Sequence, residues 1–434
     1  MNRVRTSDEI LRGLERYGIR LGLENLRALL VALGNPQSQL AIALVAGTNG
    51  KGSTSALLAE IAAAAGYRVG LYTSPHLETV EERIRIDGAK IAPEKLARLL
   101  EEILAAAARL GTEPPTYFEA MTVAAFLACA RSSVDLAVFE VGLGGRLDAT
   151  NIAEPLLSVV TPIAFDHREW LGETLDAIAR EKAGIFRTDV PAVLAPQLAE
   201  AERALVDEAV RREARLVPVG PRLRGLVLRS LGLDGLEMEL ATDARAYSLR
   251  TVLAGDHQAA NVATALVAAE ELALLGFNEI DEAAITQGIG RCRWAGRLEA
   301  VTLPRGAGTV LLDAAHNPAG CEALARFLAA LGRSYRLLFG ALADKELAAM
   351  LPPLAAGAAD IVLARPVSPR AAEPTALAAL VPAEIPVRIE PDPATALDQA
   401  LAGEPDLLVV CGSIFLVGEI RGLLRARFGV PPPV

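Results

Sequence analysis

Residues 44–54 read Leu44-Val45-Ala46-Gly47-Thr48-Asn49-Gly50-Lys51-Gly52-Ser53-Thr54, and an alanine-rich stretch follows them. The order is a short apolar run, then a glycine-rich turn with a lysine and hydroxyls, then the start of a helix. In such a unit, backbone N–H groups and the positive end of the helix dipole converge on one point, which is how proteins hold nucleotide phosphates. The stretch therefore predicts a strand–loop–helix unit that binds ATP or GTP.

The loop departs from the standard phosphate-loop pattern, in which four residues separate the glycines and a hydroxyl directly follows the lysine. Here only two residues separate Gly47 from Gly50, and Gly52 stands between Lys51 and Ser53. Glycines permit positive φ and close backbone approach, and a lysine can reach the β- and γ-phosphate oxygens. A glycine-rich turn that binds no ligand would not require that lysine. The predicted nucleotide-binding residues of the loop are Thr48, Asn49, Gly50, Lys51, Gly52 and Ser53.

Composition excludes several classes of partner. The chain has 434 residues, and 53 acidic side chains outweigh 43 lysines and arginines for a net charge of −10. This balance argues against binding to nucleic acid or to a membrane surface. No run reaches the ~18 apolar residues of a membrane span, and the first twenty residues lack the uncharged core of a signal peptide. We expect a cytoplasmic monomer that acts on small molecules.

The first two-thirds of the chain alternates apolar runs with alanine- and leucine-rich stretches, the rhythm of a doubly wound, mostly parallel sheet. The predicted strands are 41–45, 68–72, 136–141, 156–160 and 191–195. The main predicted helices are 53–65, 93–110, 117–130 and 174–183. Residues 217–253 differ, since their short alternating runs predict antiparallel strands appended to the main sheet.

A second alternating series begins at Arg297 and predicts a smaller α/β domain. Its predicted strands are 299–303, 309–313, 336–340, 361–364, 387–390 and 407–411. Glycines and arginines interrupt the helical pattern between Ile289 and Arg297, which places the domain boundary there. The predicted domains are therefore residues 1–290 and 297–434.

Polar side chains follow three predicted strands of the first domain. Glu140 lies at the carboxyl end of one strand, and Ser74 and His167 each come after another. In open α/β sheets the carboxyl ends of the strands face the crevice where ligands bind, so these groups could converge on a cation beside the phosphate loop. Magnesium prefers oxygen ligands, which makes His167 the weakest of the three on chemistry alone. A capping role for Glu140 remains an alternative.

All four histidines lie in motif-like clusters, at His76, His167, His257 and His316, which indicates roles at a functional site. A structural, hydrogen-bonded role for any one of them remains an alternative. Lys182 ends a predicted helix. A lysine at the end of a helix is ordinarily explained by its favourable interaction with the helix dipole.

Taken together, these motifs resemble those of the folylpolyglutamate synthase and dihydrofolate synthase family, within the Mur ligase superfamily. The resemblance covers nearly the whole chain, and eight motifs in one order make it specific. The motifs are residues 47–53, 73–77, 117–119, 140–151, 166–185, His257 with Asn261, 296–297 and 313–318.

The resemblance implies an ATP-dependent amide-forming ligase with a P-loop-type ATPase domain followed by a Rossmann-like domain that binds glutamate. It also implies roles for individual residues. Ser74, Glu140 and His167 would hold Mg²⁺, and Lys182 would carry a carbamate that positions a second Mg²⁺. A monovalent cation is a further candidate ion. The remaining implied nucleotide contacts are Asn261, Arg297 and Asp313.

The resemblance also implies the substrate contacts. Two segments match those that contact the pteroate part of the substrate, namely Tyr117, Phe118 and Glu119, and Leu147, Asp148 and Ala149. His316 and Ser413 match positions associated with the incoming glutamate, and Lys51, Lys182 and His316 are the implied catalytic residues. Core packing of Phe118 remains an alternative.

The implied chemistry moves the γ-phosphate of ATP onto a substrate carboxylate. The resulting acyl phosphate is attacked by the amine of glutamate, giving an amide, ADP and phosphate. Two other readings stay open: a Mur ligase that acts on a UDP-muramoyl substrate, and a nucleotide-binding switch without catalysis. The sequence does not decide whether dihydropteroate, reduced folates or both are the substrates.

Overall fold

The computed structural model describes residues 5–18, 20, 22–306 and 308–432. The chain divides into two compact units. Unit 1 comprises Met1–Val227, Met238–Leu249 and Ala260–Cys292, and unit 2 comprises Leu228–Glu237, Arg250–Ala259 and Arg293–Val434. Three sheets of eight, three and six strands account for the β-structure of the described residues.

The strands are β1 Ile42–Ala46, β2 Val69–Tyr72, β3 Ile84–Ile86, β4 Ala89–Lys90, β5 Leu136–Glu140, β6 Leu157–Val160, β7 Pro191–Leu194, β8 Arg215–Pro218, β9 Arg224–Ser230, β10 Leu236–Ala241, β11 Ala246–Thr251, β12 Glu299–Thr302, β13 Thr309–Leu312, β14 Tyr335–Phe339, β15 Ala358–Leu363, β16 Val387–Ile389 and β17 Leu407–Cys411.

The helices are α1 Ser7–Glu15, α2 Glu24–Ala32, α3 Lys51–Ala64, α4 Pro93–Leu110, α5 Tyr117–Arg131, α6 Arg168–Leu171, α7 Leu175–Lys182, α8 Ala199–Arg211, α9 Val219–Arg222, α10 His257–Leu274, α11 Glu282–Arg291, α12 Pro318–Leu331, α13 Leu347–Ala355, α14 Pro374–Ala378, α15 Pro393–Leu401 and α16 Ile414–Phe428. None of these described helices is both long and apolar enough to cross a membrane.

The eight-stranded sheet of unit 1 has the order β4-β3-β2-β5-β1-β6-β7-β8. The strands from β2 to β8 in this order pair in parallel, while β3 and β4 are antiparallel at one edge. All five residues of β1 are buried, as expected for a central strand covered on both faces. The five predicted strands are confirmed. The prediction missed β3, β4 and β8.

The position of β1 explains where a ligand would bind. β1 lies between β5 and β6, and the chain leaves β1 and β6 toward opposite edges of the sheet. Such a reversal of strand order opens a crevice at the carboxyl ends of the strands, where α/β proteins bind their ligands. The loops after β1 and β6 therefore meet at the natural ligand site of this sheet.

The helices on this sheet pack closely. A Cβ atom at Gly288 of α11 would overlap the backbone of Ile61 in α3, so only glycine permits this approach. Nine of the fourteen residues of α3 are buried, and its alanines leave space for the neighbouring helix. The helix that begins at the phosphate loop is therefore largely buried and packs closely against α11.

The prediction for residues 217–253 was wrong in one respect. β9, β10 and β11 form a separate three-stranded sheet in the order β11-β10-β9, not an extension of the main sheet. Their short connections require antiparallel neighbours, as predicted. The start of the segment belongs instead to β8, which pairs in parallel with β7 at the edge of the main sheet.

The sheet of unit 2 has the order β12-β13-β17-β14-β15-β16. β12 pairs with β13 in the antiparallel direction, and the remaining neighbours are parallel. All six predicted strands are confirmed. β13 and β17 lie side by side, so the residues that follow them, Asp313 and Gly412, come out at the same edge of the sheet.

Candidate active site

The glycine loop after β1 leads directly into α3. Gly50 has a φ of +88° and precedes Lys51, the first residue of the helix. No side chain among the described residues caps this helix. The first-turn N–H groups of a helix have no intrahelical acceptor, and together with the dipole they favour an anion at that end. The loop has the geometry expected of a phosphate site.

The loop is anchored to the segment after β6. The N–H groups of Thr48 and Asn49 both donate to the carbonyl of Pro162, at 3.1 and 3.2 Å. The hydroxyl of Thr48 donates to the carbonyl of Ala164 at 3.1 Å. A Cβ atom at Gly47 would overlap the hydroxyl of Thr161, so the two loops approach each other at this point only because residue 47 is glycine.

Two lysines donate to neighbouring carbonyls of this loop. Lys51 Nζ lies 3.0 Å from the carbonyl oxygen of Thr48, and Lys182 Nζ lies 2.7 Å from that of Gly47. Lys182 is buried at the end of α7. Burial and, to a lesser extent, the charge of Lys51 lower the pKa of Lys182 to about 7, against the opposing charges of Asp166 and Asp148. An amine with that pKa is largely neutral slightly above pH 7 and is therefore nucleophilic.

Asn261 also lies against the glycine loop. It is buried in α10, and a Cβ atom at Gly50 would overlap its side-chain oxygen. The sequence places these two residues more than two hundred positions apart, so only the fold brings this predicted nucleotide contact beside the loop.

Glu140 and Ser74 meet at the ends of β5 and β2. Glu140 is buried, and its carboxylate accepts a hydrogen bond of 3.1 Å from the backbone N–H of Ser74. A carboxylate and a hydroxyl are the oxygen donors that Mg²⁺ prefers, and Mg²⁺ commonly keeps several waters and binds substrate phosphates. These two residues fit such an ion. Among the described residues no group of three His, Cys, Asp or Glu side chains could hold a metal.

His167, the third predicted metal ligand, has a left-handed backbone with φ of 50° at the start of α6. Its Nε2 lies 3.8 Å from a carboxylate oxygen of Asp166 and its side chain is 39% exposed.

Asp148 organises the glycine-rich loop after β5. One carboxylate oxygen accepts from the N–H groups of Gly142 and Leu143, at 3.0 and 2.9 Å. The other accepts from the N–H and hydroxyl of Thr150, at 3.0 and 2.6 Å. Burial raises the pKa of Asp148, and these four donors oppose that effect. Of its predicted partners in substrate binding, Leu147 is half-buried and Ala149 is buried.

Phe118 packs on the same loop. A Cβ atom at Gly142 would lie 2.5 Å from the ring of Phe118, so this predicted substrate contact lies against the glycine-rich loop that leads to residues 147–149. Glu119 is buried and closes the capping box of α5, where it accepts a 2.7 Å hydrogen bond from the N–H of Thr116. Glu119 therefore has a structural role in capping the start of α5.

Arg83 is a residue that sequence reasoning missed. It is buried, its guanidinium lies 5.0 Å from the centre of the Tyr117 ring, and its Nε donates to Nδ1 of His76 at 3.0 Å. Burial and the charge of Arg83 lower the pKa of His76 to about 3, so this imidazole is a neutral acceptor. The motif around His76 was visible in the sequence, whereas its partner was not.

The predicted residues of unit 2 gather at the carboxyl ends of β13 and β17. Asp313 accepts hydrogen bonds from the N–H groups of Leu298 and Ala315, at 2.8 and 2.9 Å. His316 Nδ1 lies 2.9 Å from the carbonyl of Ala314. Ser413 caps the start of α16, where its hydroxyl accepts from the N–H of Phe415 at 3.2 Å.

Two more polar residues lie near Asp313. Arg297 directly precedes Leu298, whose N–H is bound by that carboxylate. Burial lowers the pKa of His257, against the charge of Asp313.

Comparison with known proteins decides the family. Residues 45–269 match the model of the Mur ligase middle domain, and residues 296–414 match that of the Mur ligase glutamate ligase domain. The dihydrofolate synthase/folylpolyglutamate synthase of Bacillus subtilis (strain 168) is 35% identical over 426 residues, 96% of this chain and 97% of that protein. The chain belongs to the folylpolyglutamate synthase and dihydrofolate synthase family. This synthase is an ATP-dependent acid–amino-acid ligase.

Solved structures agree with the two-domain fold of the synthase. E. coli FolC in complex with DHPP and ADP superposes with a TM-score of 0.87 at 32% identity, covering 98% of each chain. A bifunctional folylpolyglutamate synthase/dihydrofolate synthase with Mn, AMPPNP and L-glutamate bound gives a TM-score of 0.84 at 32% identity, covering 97% of this chain and 98% of that one. Both of those proteins hold a nucleotide.

Within the synthase, the structure brings together the residues of the phosphate loop, Lys182 and Asn261 in unit 1. It separately brings together Ser74 with Glu140, and Phe118 with the loop organised by Asp148. In unit 2, one edge of the sheet carries Asp313, His316 and Ser413. The individual roles of these residues stay predictions.

Proposed function

We propose that the synthase joins L-glutamate to folates through an acyl phosphate, both in adding the first glutamate to dihydropteroate and in extending the glutamate tail of tetrahydrofolate. One observation carries the proposal: two lysines, Lys51 and Lys182, reach adjacent carbonyls of a glycine loop that precedes an uncapped helix. That loop suits a triphosphate, and a triphosphate is what converts a carboxylate into an acylating agent.

The loop residues Thr48 to Ser53 hold the phosphates of ATP in this proposal. Lys51 turns from the carbonyl of Thr48 toward the β- and γ-phosphates, where its charge offsets the charge that spreads over the transferring phosphoryl group. Such electrostatic stabilisation is the main lever in phosphoryl transfer. Asn261 lies beside Gly50 and contacts the nucleotide, and Arg297 and Asp313 provide further contacts from residues 297–434.

Mg²⁺ is the proposed metal, held by Glu140 and Ser74 together with His167. When bound, it supplies a positive charge that polarises the phosphoryl oxygens. The manganese ion in the related structure supports a divalent ion in this family. The residues of this chain that fit the ion best are Glu140, which is buried, and Ser74, whose backbone already contacts that carboxylate.

Lys182 is proposed to react with carbon dioxide. Its amine is buried and its pKa is about 7, so a neutral, nucleophilic form is present near neutral pH. Addition of carbon dioxide to that amine releases one proton and leaves a carbamate anion, which reverses the charge at this position and would position a second Mg²⁺. A monovalent cation is a further candidate for the same region.

The substrates are proposed to bind at two separate sets of residues. The pteroate part lies against Tyr117, Phe118 and Glu119 and against residues 147–149, where an aromatic ring suits a flat substrate by stacking. The incoming glutamate is held by His316 and Ser413. Residues 1–290 thus form the ATP-binding domain, and residues 297–434 form the glutamate-binding domain.

We also propose that the synthase works in the cytoplasm as a monomer, with small molecules as its only partners. Its net charge of −10 supports this proposal, because a nucleic acid or an anionic membrane surface would be repelled.

The test supplies the purified synthase with ATP, Mg²⁺ and glutamate, and with either dihydropteroate or tetrahydrofolate as acceptor. We expect ADP and a product heavier by one glutamate with both acceptors. Product with one acceptor alone would narrow the proposal to that reaction. Ligation only to a UDP-muramoyl acceptor would overturn it, as would nucleotide binding without turnover.

A pair of variants connects that activity to the loop. Lys51→Met removes the phosphate-facing charge, and we expect kcat to fall by ~10²-fold or more, as for other groups that stabilise a transition-state charge. Lys90→Met removes an exposed lysine of the same unit and leaves activity unchanged. Equal activity of the two variants would contradict the role of Lys51.

A further inference from the structure

The turn that carries Arg297 is held by an ion pair in which the arginine is buried and the carboxylate side chain is 20% exposed. Arg421 of α16 is only 3% exposed, and its guanidinium donates to both carboxylate oxygens of Glu299 at distances of 2.8 to 3.1 Å. One of those oxygens also accepts a 2.9 Å hydrogen bond from the N–H of Gly296. The carboxylate therefore connects the last helix of unit 2 to the backbone immediately before Arg297.

The other side of the turn is held by the two residues that follow β13. The N–H of Ala314 donates to the carbonyl of Gly296 at 2.8 Å, and Asp313 accepts from the N–H of Leu298 at 2.8 Å. Gly296 and Leu298 both have left-handed backbone, with φ of 69° and 47°. A leucine in that region is strained unless its surroundings fix it. Arg297 thus stands between two residues whose left-handed backbone is fixed by hydrogen bonds, and in Leu298 that conformation is unusual.

We propose that Glu299 and Arg421 are positioning residues that set the direction of the Arg297 side chain for ATP. The proposal rests on the proposed function, in which Arg297 contacts the nucleotide. An isolated buried ion pair is weak evidence for a stabilising role, since well-packed apolar residues often stabilise such a position equally well. What an apolar pair could not provide here is the acceptor for the N–H of Gly296.

Loss of this ion pair should affect the use of ATP specifically. If the carboxylate turns away from Gly296, the turn relaxes toward ordinary backbone angles and Arg297 no longer points in one direction. The side chain of Arg297 keeps its charge but must be ordered when the nucleotide binds, and this ordering opposes binding. Loss of Arg421 should therefore weaken the use of ATP through Arg297.

A double-mutant cycle on the full-length synthase tests this. The variants are Arg421→Met, Arg297→Ala and the combination, and the measured quantity is kcat/KM for ATP at saturating folate and glutamate. We expect Arg421→Met to lower kcat/KM by ~10-fold in the otherwise unchanged synthase and by less than ~2-fold when Arg297 is already alanine, because residues in one network are not additive.

Milder variants keep the test informative if Arg421→Met fails to fold. Arg421→Lys retains one charged donor and should recover part of the lost kcat/KM. Glu299→Gln keeps the size of the side chain but sets an amide group against the guanidinium, and it should lower kcat/KM in the same Arg297-dependent way.

Arg336→Met is the matched control. Arg336 forms a half-buried ion pair with Asp360 in the same unit, at 2.7 Å, and neither residue bonds to the turn at residues 296–298. Its loss should lower thermal stability and leave kcat/KM for ATP unchanged.

The outcomes separate this proposal from the proposed function. If Arg297→Ala leaves kcat/KM for ATP unchanged, the nucleotide role of Arg297 is wrong. If Arg297→Ala lowers it while Arg421→Met has no effect, or has the same effect in both backgrounds, the positioning role is wrong and the function of the synthase stands.

Discussion

Replacement of Lys182 by methionine is expected to stabilise the nucleotide-free synthase and to inactivate it. The amine is buried, and its pKa falls from the ordinary value of 10.5 to about 7. At 1.36 kcal/mol per pH unit, this lowering corresponds to about 5 kcal/mol that the folded state loses when the amine must stay charged. Methionine has a similar length and no charge, although it gives up the hydrogen bond to Gly47.

The sign of the effect gives it a pH signature. Between pH 7 and 10.5 the unfolded chain binds a proton at Lys182 that the folded chain does not, so the stability of the unchanged protein rises with pH. The methionine variant lacks this pH-dependent contribution to stability. Its advantage in free energy of unfolding is therefore largest below pH 7 and shrinks by about 2.5 kcal/mol between pH 6 and pH 9.

The assay is urea unfolding of both proteins at pH 6, 7.5 and 9, followed by circular dichroism in buffers free of carbon dioxide, so that no carbamate forms. Lys95→Met, which removes an exposed lysine, serves as the control and should show no such trend. An advantage for the Lys182 variant that stays constant across this pH range would refute the reasoning. Activity of Lys182→Ala without any added small acid would remove the carbamate from the mechanism.

Three further substitutions probe the loops. Gly50→Ala should weaken ATP binding at least tenfold, because the new Cβ overlaps Asn261, whereas folate binding stays unchanged. Gly142→Ala should raise KM for the folate and spare KM for ATP, since it displaces the ring of Phe118. Asp148→Asn should lower the free energy of unfolding by about 2–3 kcal/mol, because an amide cannot accept all four hydrogen bonds.

Matched variants accompany these three. Gly66 has the same φ of +88° as Gly50 but open space around it, so Gly66→Ala isolates backbone strain from the contact with Asn261. Gly13→Ala, where the new Cβ also meets open space, is the control for Gly142→Ala. Thr150→Val removes only one donor to Asp148 and should lower stability by about 1 kcal/mol. Equal effects of a variant and its control would contradict the assigned contact.

The strongest elements of the fold could be predicted because they are buried on both faces. β1 and β17 consist of apolar residues throughout, and such continuous runs mark parallel strands covered by helices. The strands that escaped prediction are short and polar. β3 carries a buried arginine, Arg85, and β8 begins with an exposed arginine, Arg215, so neither shows an apolar run.

The candidate site could be predicted only in part. The phosphate loop is local in sequence, and its chemistry is visible in eleven consecutive residues. The bond from Lys182 to Gly47 joins residues 135 positions apart, so spacing alone cannot indicate it. Lys182 was singled out through the family resemblance. Arg83 lay outside every motif, and only the structure shows its contacts with His76 and Tyr117.

The central claim is that ATP activates the folate carboxylate before glutamate attacks it. The direct measurement uses a folate substrate labelled with ¹⁸O in both oxygens of the reacting carboxylate, with ATP, Mg²⁺ and unlabelled glutamate, and determines the isotope content of the phosphate released. Formation of an acyl phosphate predicts one ¹⁸O atom in each phosphate molecule. Phosphate free of ¹⁸O, formed together with the ligated product, would contradict the mechanism.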